Sequence, residues 1–108
     1  AYDLLEVVSQ VSLRDLMPAP DRLNERQKKF VRSTSAVDFA IYHKVSKRML
    51  LAIEVNGTRF HEDSPAQQVR DELKAQIIGI YGADMLVLRT NDSNIESMIR
   101  GRLDQILA

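Results

Sequence analysis

The 108-residue sequence contains no cysteine and only four glycines and three prolines. Without cysteine the chain has no disulfide, thiolate zinc site or cysteine nucleophile, and it is compatible with a reducing compartment. Low glycine and proline content, with 44% apolar and 28% charged residues, is typical of a folded globular domain and not of a disordered tail. At this length we expect one domain, covering residues 1–108.

Long apolar runs are also missing. No stretch approaches the roughly 18 residues that a membrane span needs, and the opening AYDLLEVV lacks the basic and apolar parts of a secretion leader. We therefore expect a cytoplasmic protein that does not enter the membrane. Because the chain begins with Ala and not Met, we also expect it to be a piece of a longer protein.

The charges balance over the whole chain, with 15 basic and 15 acidic residues, so net charge does not indicate a polyanionic partner. Locally they do not balance. Between positions 21 and 48 lie eight basic and only three acidic residues. Such a basic half could hold phosphates beside an acidic site. The alternative is a solvated helix and loop with surplus Lys and Arg.

Hydrophobic periodicity predicts alternating strands and helices. The predicted strands are Leu4–Leu13, Ala36–Tyr42, Met49–Val55 and Met85–Leu88. Helices are predicted as a short turn at Leu13–Met17, a helix over Asp21–Arg32, a third starting at Ser64–Gln67 and stopped by Gly82, and a fourth starting at Ser93–Glu96. This order predicts an α/β domain with a mixed sheet of about four strands between helices.

Two of these helices have predicted inward-facing stripes. In the third helix the stripe is Val69, Leu73, Ile77 and Ile80, and in the fourth it is Ile95, Ile99, Leu103 and Ile106. Both starts, Ser64–Gln67 and Ser93–Glu96, have the sequence of a capping box.

The second and third strands are joined by only His43–Arg48, which is too short for a helical crossover, so they should form an antiparallel hairpin. If the turn is centred near Ser46, facing positions sum to 92, and Asp38 faces Glu54. Like charges directly opposite one another repel, and a divalent cation between the two carboxylates would remove that repulsion. The alternatives are an acid exposed at a strand end, or a register slipped by two.

Four segments resemble the PD-(D/E)XK nuclease superfamily: VDFAIYHK, LLAIEVNGTRFH, QVRDELKAQIIGIYG and ADMLVLRTN. Within it they are similar to the branch of the very-short-patch-repair endonucleases and of a domain of unknown function often attached to DNA helicases. The resemblance covers about Val7 to Arg89. It implies a restriction-endonuclease-like fold that contains the acidic hairpin.

The resemblance also implies roles for individual residues. Asp38 matches the metal-binding strand Asp, and Glu54 matches the acid of the (D/E)XK element, with the Val55 carbonyl as a further ligand for Mg²⁺ or Mn²⁺. Asn56 stands where that element has lysine, and Val37 stands where Pro precedes the Asp. This departure puts activity in doubt, because the lysine normally orients or deprotonates water.

Further residues follow the hairpin. His61 matches a general acid or base near the scissile phosphate, and Asp71 matches a final acid that would orient His61 or hold a water. As a lone loop residue His61 could equally be a surface histidine, and Asp71 a solvated helix position. The candidate phosphate contacts, any of which could instead belong to a plain charged surface, are Lys28, Lys29, Arg59, Arg70 and Lys74.

The expected function is metal-dependent hydrolysis of phosphodiester bonds in DNA, within a larger DNA-processing protein such as a helicase. Members of this branch begin with a helix whose Glu supports the metal site, and we expect this chain to lack that helix, although Glu25 could replace its acid. The alternatives are a nuclease-fold module that binds DNA or a protein without cutting, and an accessory domain docked on a motor. No Gly-rich phosphate loop follows a predicted strand, which disfavours nucleotide binding. The pattern leaves the oligomeric state open.

Overall fold

The computed structural model describes residues 2–16, 22–33, 36–56, 65–89 and 93–108. Within these ranges the strands are β1 (Leu5–Ser12), β2 (Ala36–His43), β3 (Met49–Asn56) and β4 (Asp84–Arg89). The α-helices are α1 (Leu13–Leu16), α2 (Glu25–Arg32), α3 (Pro65–Ile80) and α4 (Ile95–Leu107), and a 3-10 turn at Tyr2–Leu4 precedes β1. The predicted α/β class and order of elements are confirmed.

The strands form one mixed sheet in the order β1, β2, β3, β4. The β1–β2 and β2–β3 pairs are antiparallel, whereas β3 and β4 are parallel. A parallel neighbour requires a crossover, and α3 supplies it between β3 and β4. Because α3 returns along the sheet, its side chains come close to the end of the β2–β3 hairpin.

The register of that hairpin is the predicted one. Phe39 pairs with Ile53, Ala40 with Ala52 and Ile41 with Leu51, so facing positions sum to 92. Nearer the turn a bulge shifts the register, and Tyr42 pairs with Met49. The residues that continue the regular part are Asp38, just before Phe39, and Glu54, just after Ile53.

Helices cover both faces of the sheet. On one face α2 and α3 pack over a buried cluster of Leu13, Leu23, Val31, Val37, Ala40, Ala52, Ile77, Ile78 and Ala83. On the other face α4 packs over Ile41, Leu51, Ile53, Leu86, Leu88 and Leu103. Strand alternation predicts Val37 on the second face, but it packs with the first cluster, as does its partner Val11. Gln10, which precedes Val11 on β1, has a positive φ of 54°, and this interrupts the side-chain alternation of β1 at that point.

Most of the predicted stripe of α3 faces inward: Leu73 and Ile77 are buried, and Ile80 packs against the core. Val69, also predicted to face inward, is 40% exposed, and Ile78, outside the predicted stripe, is fully buried. The helix ends at Gly82 as predicted, in the left-handed conformation (φ 86°), with Gly82 N–H donating to Gly79 and Ala83 N–H to Ile78. No helix among the described residues is long and apolar enough to cross a membrane.

The helix starts differ from expectation. The capping box predicted at Ser93–Glu96 is wrong, because the N-cap of α4 is Asn94 and its side chain makes no capping hydrogen bond. The other predicted box includes Ser64, which lies outside the described residues. An unpredicted capping box begins α2: Gln27 N–H donates to Asn24 Oδ1 at 2.8 Å, and Asn24 N–H donates to Gln27 Oε1 at 3.0 Å.

The two N-caps provide a matched stability test. We expect Asn24→Ala to lower the free energy of unfolding by about 1 kcal/mol, because it leaves an amide at the start of α2 without its partner. Asn94→Ala should cost clearly less, since the Asn94 side chain caps nothing. Urea unfolding of both variants measures the difference, and equal losses would contradict the role assigned to the Asn24 side chain.

Candidate functional site

The acidic residues Asp38 and Glu54 lie side by side where the regular pairing of β2 and β3 ends. Glu54 is 6% exposed, whereas Asp38 is half-buried. Their carboxyl groups are close enough to interact both by charge and through a hydrogen bond. The hairpin register therefore brings together the two acids that the sequence singles out.

The Asp38 side chain also joins β2 to β3 by a hydrogen bond beyond the last regular pair of the hairpin, Phe39 and Ile53. Its Oδ2 accepts a hydrogen bond of 2.7 Å from the Val55 backbone N–H. This contact fixes the carboxylate between the two strands, next to Glu54. A strand residue presents its N–H and C=O to the same neighbour, so the Val55 carbonyl also faces the β2 side.

The lysine of the site comes from α3. The Lys74 ammonium forms an ion pair with Glu54 and also donates a hydrogen bond of 2.8 Å to the Ala36 carbonyl. The side chains of Lys74 and Glu54 are only 14% and 8% exposed. The sequence predicts Lys74 as a phosphate contact on the polar side of its helix, whereas in the structure it points into the acidic site.

The helical spacing of α3 is compatible with this orientation of Lys74 but does not select it. Lys74 precedes Ile77 by three positions and Ile78 by four, which places it on the face of α3 that carries these two fully buried residues. The predicted stripe included Ile77 and Ile80 but not Ile78, and Lys74 was assigned to the polar side of the helix. Choosing between the two stripes required the tertiary packing, because both have helical spacing.

Burial controls the protonation of Glu54. The pKa of its carboxyl group is raised from 4.5 to about 6 as the net effect of its surroundings: removal from water and the neighbouring Asp38 raise the pKa, whereas the Lys74 ammonium lowers it. Desolvation is the largest of these effects. Near neutral pH Glu54 is thus mainly ionised and paired with Lys74, but the burial of its charge lowers the stability of the folded protein.

The other predicted catalytic residues are only partly placed. Asn56 ends β3, where its backbone pairs with Arg89, and its side chain is not among those described. Asp71 is half-buried on α3, one turn before Lys74. His61 lies outside the described residues, as does Arg59.

The predicted basic half divides into two separate parts. Lys28 and Lys29 lie on α2, which packs with α3 on one face of the sheet, and Lys28 forms an ion pair of 3.5 Å with Glu25. Lys44–Arg48 form the hairpin turn, at the opposite end of β2 from Asp38. Five residues of strand, or about 17 Å, separate His43 from Asp38, so the turn is remote from the acids.

Arg70 is the exposed cation nearest to the acids along α3. It lies one helical turn before Lys74, on the same side of the helix, and its side chain is exposed. Of the candidate phosphate contacts that the structure describes, Arg70 combines exposure with this proximity to the acidic pair.

Metal-binding capacity at this site is limited to a few oxygens. Among the described residues, no three or more His, Asp or Glu side chains converge. The available donors are the two carboxylates and nearby backbone carbonyls, a set that suits Mg²⁺ or Mn²⁺ with remaining positions left to water or phosphate. A His-rich zinc site is not formed by these residues.

Two of the cavities formed by the described residues lie on the opposite face and are mainly apolar. Two adjoining clefts beside α4 share the apolar residues Val7, Ile41, Ile95 and Ile99. The polar groups that line one of these clefts are the Tyr2 hydroxyl and the side chains of Glu96 and Arg100, which pair with each other at 3.0 Å. The acidic pair with Lys74 is therefore the candidate functional site.

These features define a mixed α/β domain with an acidic pair at one end of a hairpin and a lysine from a helix beside it. The chain belongs to the family described as a protein of unknown function (DUF2726), which matches residues 2–106. Comparisons with curated proteins and with solved structures gave no match.

The raised pKa of Glu54 predicts a pH dependence of stability in the metal-free protein. Below about pH 4.5 Glu54 is protonated in both states, and its contribution to stability is fully present. As the pH rises from 4.5 through 6, the unfolded chain ionises first, so the free energy of unfolding falls by about 2 kcal/mol in total, at 1.36 kcal/mol per pKa unit.

Urea unfolding of the parent protein and of Glu54→Gln, between pH 4.5 and 7 in EDTA, measures this effect. The stability of the parent relative to the variant should fall over that range, because Gln does not titrate. A relative stability that rises with pH would mean that the ion pair with Lys74 outweighs the desolvation of Glu54.

Proposed function

We propose that this domain is a metal-dependent endonuclease of the PD-(D/E)XK type, which hydrolyses phosphodiester bonds in DNA as part of a larger cytoplasmic DNA-processing protein such as a helicase. The observation that carries the proposal is the convergence of Asp38, Glu54 and Lys74 at one end of the hairpin. Two strand acids and a lysine form the set that the resemblance implies, with the lysine on α3 and not at position 56.

In the proposed reaction the two acids bind the metal and an exposed arginine binds phosphate. Asp38 and Glu54 would hold Mg²⁺ or Mn²⁺ together with the Val55 carbonyl. The bound ion would lower the pKa of a water and neutralise charge on the phosphate. The Val55 N–H orients Asp38, which fixes one carboxylate before any ligand arrives. Arg70 would contact a neighbouring phosphate from α3.

The proposed roles of His61 and Asp71 rest on the sequence resemblance alone. His61 would assist proton transfer at the scissile phosphate, since the unperturbed pKa of histidine, about 6.5, suits that task. Asp71 would orient His61 or hold a water.

The proposal predicts metal-dependent cleavage that requires the Asp38 charge. Asp38→Asn keeps an oxygen that can accept the Val55 hydrogen bond but removes the negative charge, so it should fold and yet lose about 100-fold or more in rate. Cutting of supercoiled plasmid and of a single-stranded oligonucleotide, with Mg²⁺, Mn²⁺ or EDTA, measures the loss. Asp84→Asn is the matched control, because Asp84 is an acid at the other end of the parallel pair, opposite Leu51.

Retained cutting in Asp38→Asn, or equal losses in the two variants, would contradict the assignment of Asp38.

A second candidate function is a module that binds DNA or a protein without cutting. It is favoured by the ion pair between Lys74 and Glu54, which neutralises the buried acid without a metal. This candidate predicts no cleavage of either substrate, together with binding that survives Asp38→Asn.

DNA binding should depend on Arg70. We expect Arg70→Gln to weaken binding equally for unrelated DNA sequences, since a phosphate contact reads no base. It should also reduce the slope of log affinity against log salt concentration by about 1. Gel shifts at several salt concentrations measure both effects. Arg100→Gln, on α4 at the opposite face of the sheet, should leave binding unchanged, and a comparable effect there would contradict the proposed surface.

A further inference from the structure

The Lys74 ammonium occupies a cation position built from strand oxygens. Its partners are the Glu54 carboxylate on β3 and the Ala36 carbonyl on β2, with the Asp38 carboxylate adjoining Glu54. Both members of the ion pair are largely buried. A lysine held only by a surface contact would not be enclosed in this way, since the head group of lysine normally stays in water.

The same oxygens are those that a divalent cation would use. Hard cations such as Mg²⁺ and Mn²⁺ prefer carboxylate and carbonyl oxygens, and among the described residues Glu54 and Asp38 supply the paired carboxylates of this site. An ammonium and a metal ion repel each other strongly at contact distance in a site shielded from water. Each of the two cations therefore weakens the binding of the other to the buried Glu54 carboxylate.

We propose that Lys74 and a divalent cation compete for Glu54. Lys74 neutralises the acidic pair when no metal is bound, and metal binding displaces the ammonium from Glu54. This inference rests on the metal site of the proposed function and adds a conformational step to it.

After displacement, the Lys74 ammonium would lie near Arg70 at the surface of α3. Lys74 has a flexible four-carbon stem, and Arg70 lies one turn away on the same side of α3. Once released, Lys74 would stand beside Arg70 at the opening of the site as a second cation for a phosphate group. Metal loading would thus create the phosphate contact that is absent while Lys74 remains paired, so metal and phosphate should bind cooperatively.

Calorimetric titration with Mn²⁺ tests the competition. Lys74→Met removes the competing charge and keeps an unbranched apolar chain, so its affinity for Mn²⁺ should be about tenfold higher than that of the parent protein. Lys44→Met, in the hairpin turn at the far end of β2, should leave the affinity unchanged.

A second measurement does not require a variant that folds. Amine-directed labelling with mass spectrometry follows the reaction rate of Lys74 in the parent protein, with Lys44 as an exposed internal reference. Lys74 should react slowly in EDTA and at least about fivefold faster with saturating Mn²⁺.

The outcomes separate this inference from the proposed function. Higher affinity in Lys74→Met, or faster labelling of Lys74 with metal, supports the competition. Mn²⁺ binding that is unchanged or weaker in Lys74→Met, with Lys74 protected in both conditions, overturns the competition but leaves the metal site in place. If neither the parent nor the variant binds Mn²⁺, both the competition and the proposed metal site are wrong.

Discussion

Glu54 is an ionisable group in the interior of the domain, and its burial constrains everything around it. A buried carboxylate without a partner is strongly destabilising, so the fold must bring compensation to it. Lys74 supplies an opposite charge from α3, and the raised pKa of Glu54 shows that this compensation is incomplete. The contact links the crossover helix to the centre of the sheet by charge as well as by apolar packing.

The neighbourhood of Glu54 is poorly suited to stability alone. Asp38 is placed beside it by the hairpin register and is held there by the Val55 N–H, which adds a like charge to a site that already lacks water. Apolar side chains at these positions would satisfy the sheet without that repulsion. Perturbed groups gathered in this manner are commonly functional, which is the physical basis for treating the cluster as a site.

The arrangement also gives the domain two chemically different faces. The face covered by α2 and α3 contains the charged site, whereas the clefts beside α4 are lined by apolar side chains with one surface ion pair. Basic residues are divided between α2 and the remote hairpin turn, so the local excess of positive charge does not form one continuous surface around the acids. On α3, Lys74 is paired with Glu54, and Arg70 is exposed one helical turn away.

The local sequence pattern was sufficient to predict the order of strands and helices and the register of the β2–β3 hairpin. Strand alternation and the short connection between β2 and β3 determine the register that sets Asp38 beside Glu54, because a shift of one residue would move an acid into the apolar layer. Gly82 ends α3 as expected, because its left-handed conformation favours glycine. Local pattern failed at the capping of α4 and at Val37, where backbone geometry that the sequence does not specify takes precedence.

The position of Lys74 was decided by tertiary structure alone. Stripes that continue from Ile77 through Ile78 or through Ile80 both fit a helix, and the complete burial of Ile78 in the core accompanies the rotation that directs Lys74 to Glu54. The sequence by itself thus determined which acids face each other, since that depends on pairing between neighbouring strands. The cation that meets them depends on how a helix distant in sequence packs, and that packing is a property of the whole core.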